Sequence, residues 1–314
     1  MRGSSLGIHT ALGRGLALML CLALVSNVAA QTGAPPTELK LSTALGPAYA
    51  QGKAGEVWAQ LIRDRSAGRL AAKHFPGAAL IQRDAVREFA ALRDGGIDLA
   101  VGSTLVWSAQ VPELNLLALP WLFPSETAFE TLLGGEVGRR LAAPLAAAGV
   151  VPLAWVANDF TALATRVAVR KPADLAGLKI RVQSSPLALE LLAALGAQSM
   201  SMGAVEARAA FASGGLDGQE ISIPAYAAAR LDTAGLTHVL LWDARADALI
   251  FAVNRARWET WSESDRTLVR QAAQDAAHEA AALARRAGDA ATLATLARQG
   301  VNITRLTPAG KADA

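Results

Sequence analysis

Residues 174–186 carry the side chain best suited to binding an anion. Within them, Ile180 and Val182 alternate with polar residues as in a short strand, so both point to one face. Arg181 then lies near the carboxyl end of that strand, where ligands enter open α/β sheets. A planar guanidinium matches a carboxylate, and such charge-assisted hydrogen bonds are about twice as strong as neutral ones.

A helix start follows this strand. Ser185 is a good N-cap and Pro186 a good first helical residue, so free backbone N–H groups and a positive helix end would lie beside the guanidinium. Together these features outline an anion site. The residues alone leave a second interpretation open, in which Arg181 forms a salt bridge with a neighbouring residue of its own lobe.

Patterns for catalysis and metal binding are scarce. The G-x-S-x-G at 3–7 lies in the N-terminal leader and not at a strand-to-helix turn. His74, His238 and His278 are far apart and no H-E-x-x-H occurs, so a zinc site is not indicated. No phosphate-binding or dinucleotide glycine loop opens a helix. We therefore expect no cofactor, no metal and no enzymatic activity.

Three aromatic residues are candidates for the walls of a binding site. Tyr49 follows the first predicted strand, Trp107 follows Gly102-Ser103-Thr104, and Trp242 follows a strand end. Each is equally compatible with packing in the core or between lobes.

Strands and helices alternate along most of the chain. Strands are predicted at 38–42, 70–75, 97–102, 162–169, 179–182, 198–202 and 238–241, and helices at 52–66, 84–93, 186–195 and 204–213. This order is typical of an α/β protein with a mostly parallel sheet. Residues 31–314 exceed what one core usually holds, so two lobes are expected. Lobe I would comprise 31–157 and 247–286, and lobe II 158–246 and 287–314.

The C-terminal region predicts a long helix. Ser262 and Asp265 resemble a capping box, and the alanine-rich segment that follows reaches about Gln299 without a proline. This helix would span both lobes, and a strand at 301–306 would complete the fold.

The N-terminus is organised like a secretory signal peptide. Arg2 and Arg14 flank its start, residues 16–25 form an unbroken apolar run, and residues 28–30 offer small side chains for cleavage. A membrane-spanning helix needs about 20 apolar residues, so a permanent anchor is not favoured. We expect export to the periplasm with cleavage near Ala30, which makes residues 1–30 the signal peptide.

Cleavage would change the composition of the chain. It removes Cys21, the chain's only cysteine, so the mature protein would hold no disulfide. It also removes two of the 30 Lys and Arg residues, leaving 28 against 27 Asp and Glu, a net charge of +1. The charges are interspersed without a basic cluster, so no nucleic-acid partner is expected.

Four segments together resemble the DctP-type extracytoplasmic receptors of tripartite ATP-independent periplasmic (TRAP) transporters. They are residues 119–123, 177–182, 195–197 and 216–220. The likeness runs over nearly the whole mature chain in the right order. It implies a two-lobed periplasmic-binding-protein fold that closes on a small organic acid. The receptor, expected to be a monomer, would deliver this carboxylate to the small and large TRAP membrane permease subunits.

The resemblance implies roles for single residues. Arg181 falls on the family's signature arginine, which pairs with the ligand carboxylate. Gln219 and Glu220 fall on a D-G-Q-E element, whose glutamate more often supports the hinge and pocket than contacts the ligand. Ser184 falls where many members place a polar ligand contact.

Three wall positions depart from the family pattern. Thr161 stands where many relatives carry a second arginine, Ile221 where asparagine is common, and Ala204 near a frequent aromatic. Loss of a charge partner would weaken binding of a carboxylate by about 1.5 to 3 kcal/mol, roughly ten- to a hundredfold. The reduced walls favour a bulkier, more apolar monoacid over an ordinary dicarboxylate or sugar acid.

Lobe closure is expected to use hinges near 157–158 and 246–247 and bending of the long helix. The sequence leaves three other functions open. The chain could report a ligand to a membrane sensor, act as a periplasmic enzyme on a small acid with Glu220 as base, or be a degenerate paralogue that binds nothing tightly.

Overall fold

A computed structural model describes residues 35–183 and 185–312. The predicted signal peptide, its cleavage site near Ala30 and the predicted contact residue Ser184 lie outside the described residues.

The described chain alternates between strands and helices. Its strands are β1 (Thr37–Thr43), β2 (Leu70–Phe75), β3 (Leu99–Ser103), β4 (Val150–Thr165), β5 (Lys179–Val182), β6 (Gln198–Ser201), β7 (Gly218–Ser222), β8 (His238–Leu241), β9 (Ala246–Asn254) and β10 (Asn302–Arg305). Its helices are α1 (Ala50–Arg65), α2 (Glu88–Arg93), α3 (Thr104–Trp107), α4 (Glu126–Gly134), α5 (Glu136–Ala147), α6 (Pro186–Ala194), α7 (Ala204–Ala212), α8 (Ile223–Ala229), α9 (Arg255–Glu259), α10 (Glu263–Ala287), α11 (Ala290–Arg298) and α12 (Pro308–Ala312).

The strands follow the order β2-β1-β3-β9-β4-β7-β5-β6, with β8 beside β4 and β10 beside β8. The long strand β4 takes part in two sheets. Through Phe160 it pairs with β9, which belongs to the first sheet with β1, β2 and β3. From Thr161 it pairs with β7 and then β8 in the second sheet. This change of partner lies beside the predicted hinge at 157–158, while the lobe boundaries themselves stay a prediction.

The expectation of a mostly parallel sheet is wrong. β4 is antiparallel to β7, β8 and β9, and β9 is antiparallel to β3. β1 pairs in parallel with β3, β5 with β6 and β7, and β8 with β10. Each of these antiparallel pairs contains β4, which takes part in both sheets, or its partner β9.

The predicted start of α10 is confirmed with Ser262 as its N-cap, although the Asp265 carboxylate accepts from the Ser262 hydroxyl and not from the backbone N–H of a full capping box. The Ser262 hydroxyl accepts a hydrogen bond from the Asp265 N–H at 3.1 Å and lies 2.9 Å from the Asp265 carboxylate. The alanine-rich face of α10 is buried in the core of the first sheet, against Trp58 and Phe251. Small side chains allow the helix to lie close to these strands and their aromatic residues.

The helix does not continue to Gln299 as predicted. It ends at Ala287 with Gly288 as its C-cap, and α11 starts at Ala290 with Asp289 as its N-cap. The Asp289 carboxylate accepts from the Thr292 N–H at 2.9 Å, so a second helix start competes with continuation of α10. Within residues 35–183 and 185–312, no helix combines the length and the apolar character that crossing a membrane requires.

Candidate functional site

A cavity of about 810 Å³ lies where the parallel strands of both sheets end. The first sheet contributes residues after β1 and β3, and the second sheet contributes residues at the ends of β5, β6 and β7. The middle of β4 and the start of β9 form the wall between them. The carboxyl ends of strands are the usual ligand site of open α/β sheets, and this cavity fits that rule.

Arg181 lines this cavity with its guanidinium only partly engaged. Its side chain is buried, Nε and Nη2 donate to the Met202 carbonyl at 3.0 and 2.9 Å, and Nη1 donates to Gln219 Oε1 at 3.4 Å. A guanidinium has five N–H groups, and two of those of Arg181 have no acceptor among the described residues. No acidic side chain of the described residues lies within salt-bridge distance of Arg181. Burial lowers the pKa of Arg181 to about 10, opposed by the charge of Glu220, so the side chain stays cationic near neutral pH.

Glu220 faces the cavity but is bound to Arg245. Arg245 Nε donates to Glu220 Oε1 at 3.0 Å and Nη2 donates to Oε2, while Nη1 donates to Ser185 Oγ at 3.2 Å. Both members of the ion pair are buried. The Ser185 hydroxyl also accepts from the Ala188 N–H at 3.3 Å, which confirms Ser185 as the N-cap of α6. This network ties β7, the segment before β9 and α6 together.

The predicted wall residues Tyr49, Thr161, Ala204 and Ile221 all line the cavity. Thr161 also links β4 to the segment before β9, since its Oγ1 accepts from the Arg245 N–H at 3.3 Å. Gln219 does not line the cavity; it lies behind Arg181 as its hydrogen-bond acceptor.

Trp107 and Trp242 lie in the core and not in the cavity wall. The short helix α3 folds the Trp107 indole back onto Gly102, where a Cβ atom would come within 1.9 Å of the ring, and it packs edge-on against Phe89. Trp242 packs edge-on against Trp121 in a core cluster of the second sheet. Both rings are fully buried, so of the three aromatic candidates only Tyr49 reaches the cavity.

Arg245 and Asp247 were missed as site residues in the sequence. Both are charged and stand inside the apolar run 238–253, which is a signal for buried polar function. Asp247 Oδ1 accepts from Ser103 Oγ, Thr104 Oγ1 and the Leu105 N–H, and its Oδ2 accepts from Asn158 Nδ2 at 3.0 Å. Burial raises the pKa of Asp247, and these hydrogen bonds oppose the rise.

Two further acids line the cavity with little hydrogen bonding. Burial raises the pKa of Asp159 to about 7, and repulsion from Glu126, Asp243 and Asp247 adds to the rise. Asp159 Oδ1 accepts from the Phe160 N–H at 2.7 Å, whereas its buried Oδ2 has no hydrogen-bond partner among the described residues. Burial likewise raises the pKa of Glu88 to about 7.

Asp159→Asn is expected to stabilise the protein in a pH-dependent way. The folded-state pKa of Asp159 is near 7 and its ordinary value is 3.8, so the wild-type fold loses stability as the pH rises from 4 through 7. The loss amounts to as much as about 4 kcal/mol. Asparagine cannot ionise and still accepts from Phe160.

Urea unfolding at pH 4.5 and pH 8 tests this expectation. The variant should match the wild type at pH 4.5 and be more stable at pH 8. Asp64→Asn, at an exposed position on α1, controls for the loss of a charge. A stability difference that does not change with pH would refute the assignment to Asp159.

Comparison with known proteins identifies the chain's relatives. The profile of bacterial extracellular solute-binding protein family 7, DctP, matches residues 41–314. A solute-binding protein of Chromohalobacter salexigens is 32% identical over 243 residues, 76% of this chain and 70% of the relative.

Solved structures are similar in fold. A TRAP periplasmic solute-binding protein of Ralstonia eutropha H16 with bound (S)-2-acetolactate has a TM-score of 0.85 and 47% identity, over 88% of this chain and 89% of that one. A Chromohalobacter salexigens TRAP receptor with bound D-glucuronate has a TM-score of 0.81 and 27% identity, over 88% and 91% of the two chains. These neighbours confirm the two-lobed α/β fold and are receptors, not enzymes. The chain belongs to the DctP family of periplasmic solute-binding proteins, the receptors of TRAP transporters.

Proposed function

We propose that this receptor captures a short, branched monocarboxylate that carries hydroxyl or keto oxygens, with Arg181 as the anchor of the carboxylate. The observation that carries the proposal is a buried cation at the cavity with two free N–H groups and no acidic partner among the described residues. The Ralstonia relative with bound (S)-2-acetolactate, a branched hydroxy-keto acid, supports this ligand class.

The cavity walls support one carboxylate rather than two. Arg245, the other buried cation of the described lining, is already bound by Glu220. Thr161, Ala204 and Ile221 offer no charge, so a second carboxylate would lack a buried partner. Since burying an unpaired charge costs several kcal/mol, the site should discriminate against diacids.

The same proposal covers the wall contacts and the partners. Tyr49, Thr161, Ala204 and Ile221 would contact the ligand, and Gln219 and Glu220 would position Arg181 and Arg245. Ser184 stays a proposed polar contact. A receptor of this family works with a membrane permease; we propose that its partners are the small and large TRAP subunits, and that it acts as a monomer after cleavage near Ala30.

The proposal predicts a ranking of ligands. (S)-2-Acetolactate or 2-oxoisovalerate should bind at least about tenfold more tightly than succinate or D-glucuronate, because only the diacid or the polyol leaves polar groups unpaired. Isothermal titration of the mature protein at pH 7 measures this. Tighter binding of succinate would refute the proposed ligand class, and no heat with any acid would favour a degenerate receptor.

A further inference from the structure

Glu88 is a buried acid of the cavity wall that the anion site does not use. It is the first residue of α2, lies on the first-sheet side of the cavity and is 1% exposed. Arg181 approaches from the second sheet. A ligand enclosed by both sheets would therefore meet a guanidinium on one side and this carboxyl on the other.

The surroundings of Glu88 suit a neutral acid. The Ser42 hydroxyl donates to Glu88 Oε1 at 2.8 Å, and no described cation lies within salt-bridge distance of the carboxyl. An ionised carboxylate can accept about four hydrogen bonds, and burying one without a cation is costly. The pKa of about 7 follows from burial, which outweighs the hydrogen bond from Ser42.

A neutral carboxyl differs from a carboxylate in what it can recognise. With Ser42 donating to Oε1, the proton of a neutral Glu88 would reside on Oε2, where it could be donated to a ligand oxygen. The fitting ligand group is an uncharged acceptor such as a keto oxygen at the end of the ligand away from the carboxylate. The buried polar groups on the same side of the cavity are already engaged: Gln51 donates to the Val101 carbonyl and accepts from the Leu45 N–H, and Ser103 donates to Asp247.

We propose that Glu88 binds the ligand as a protonated acid and donates to the oxygen farthest from the carboxylate held by Arg181. This inference rests on the proposed function and adds a specificity residue to it. Binding should then require the proton: affinity for a keto acid is highest below about pH 7 and falls as Glu88 ionises, by roughly tenfold per pH unit at higher pH.

Other charged groups face the same cavity and define the controls. They are Lys53 and Glu56 of α1, Arg83 and Asp84 before α2, Asp159, Glu206 and the engaged groups Arg245, Glu220 and Asp247. Arg87, next to Glu88, pairs with Asp84 at an exposed position. Lys53 and Glu56 pair with each other. Asp159 is the main competitor, because its pKa is also about 7.

The test measures affinity from pH 5.5 to pH 8.5 by isothermal titration for the wild type, Glu88→Gln and Asp159→Asn. The ligands are (S)-2-acetolactate and 2-hydroxy-2-methylbutanoate, which lacks the keto oxygen. The affinity of the wild type for acetolactate should fall about fivefold between pH 7 and pH 8 and approach a tenfold fall per pH unit above that. Titrations in buffers of different ionisation enthalpy should show the uptake of about one proton on binding at pH 8.5. Glu88→Gln retains an N–H donor and should bind acetolactate at every pH without this slope.

The outcomes separate the two proposals. In Asp159→Asn the affinity for acetolactate should still fall with rising pH. For 2-hydroxy-2-methylbutanoate, which lacks the keto oxygen, the affinity of the wild type should not change with pH. A slope that persists in Glu88→Gln or disappears in Asp159→Asn overturns the role of Glu88. If neither acid binds the wild type at any pH, the proposed function fails instead. Glu88→Leu, checked for folding by thermal unfolding, should lower the affinity for acetolactate at pH 6. This loss should be at least tenfold greater than the loss of affinity for 2-hydroxy-2-methylbutanoate.

Discussion

Arg181→Met is expected to abolish tight binding of the organic acid. The ligand carboxylate would enter a buried site without its cation, and truncating one partner of a buried charge pair costs about 2 to 5 kcal/mol. This corresponds to roughly a 30-fold to several-thousand-fold loss of affinity. Arg181→Lys should be intermediate, because one ammonium cannot serve both the Met202 carbonyl and a ligand in the geometry of the guanidinium.

Arg166→Met is the matched control for this loss. Arg166 directly follows β4 and also donates to backbone carbonyls, those of Phe211 and Leu216, but it does not line the cavity. Its replacement should lower the thermal stability and leave the affinity of the folded protein unchanged. Calorimetric titration of both variants decides the matter: unchanged affinity in Arg181→Met would disprove the anchor.

Glu220→Ala is expected to cause the largest loss of stability. It leaves the Arg245 guanidinium buried with only Ser185 as a side-chain partner. Removing one member of a buried ion pair typically costs 3 to 5 kcal/mol, because the remaining charge is uncompensated. Urea unfolding at pH 7 measures the change in the free energy of unfolding.

Two comparisons make this result specific. Glu136→Ala removes an acid that pairs with Arg139 and Arg140 on the surface of α5, and it should change stability very little. The double variant Glu220→Leu with Arg245→Met removes both charges and should recover most of the loss. If Glu220→Ala is no more harmful than Glu136→Ala, the buried pair does not hold the second sheet to the start of β9.

The strands whose bounds were predicted correctly are marked by residues close to them in the sequence. β2, β5 and β8 occupy the predicted residues, because each is a short run bounded by turn residues. Arg181 was predicted as the anion-binding residue from its place at a strand end before a capped helix. The structure brings Arg181 to the cavity, and its role as ligand anchor stays a prediction.

The parts that were missed depend on distant contacts. β9 is buried along its whole length, so it has no alternation, and its neighbours β3 and β4 are far away in sequence. α5 contains Pro144, which argues against a helix locally, although the helix forms. Trp107 is buried because Gly102, which has no side chain, leaves room for its indole ring. The hydrophobic pattern of the sequence does not predict this contact.

The double duty of Arg181 constrains how the ligand range of such a receptor can evolve. The same guanidinium that faces the cavity also holds the Met202 carbonyl, just before α7. Replacing it would disturb the loop together with the ligand, so descendants with new specificities are expected to retain it. Substitutions at Ala204 and Ile221 should disturb the fold less, because these apolar side chains line the cavity and make no hydrogen bonds. New solutes would be acquired at those walls, with the charge at one end of the ligand held constant.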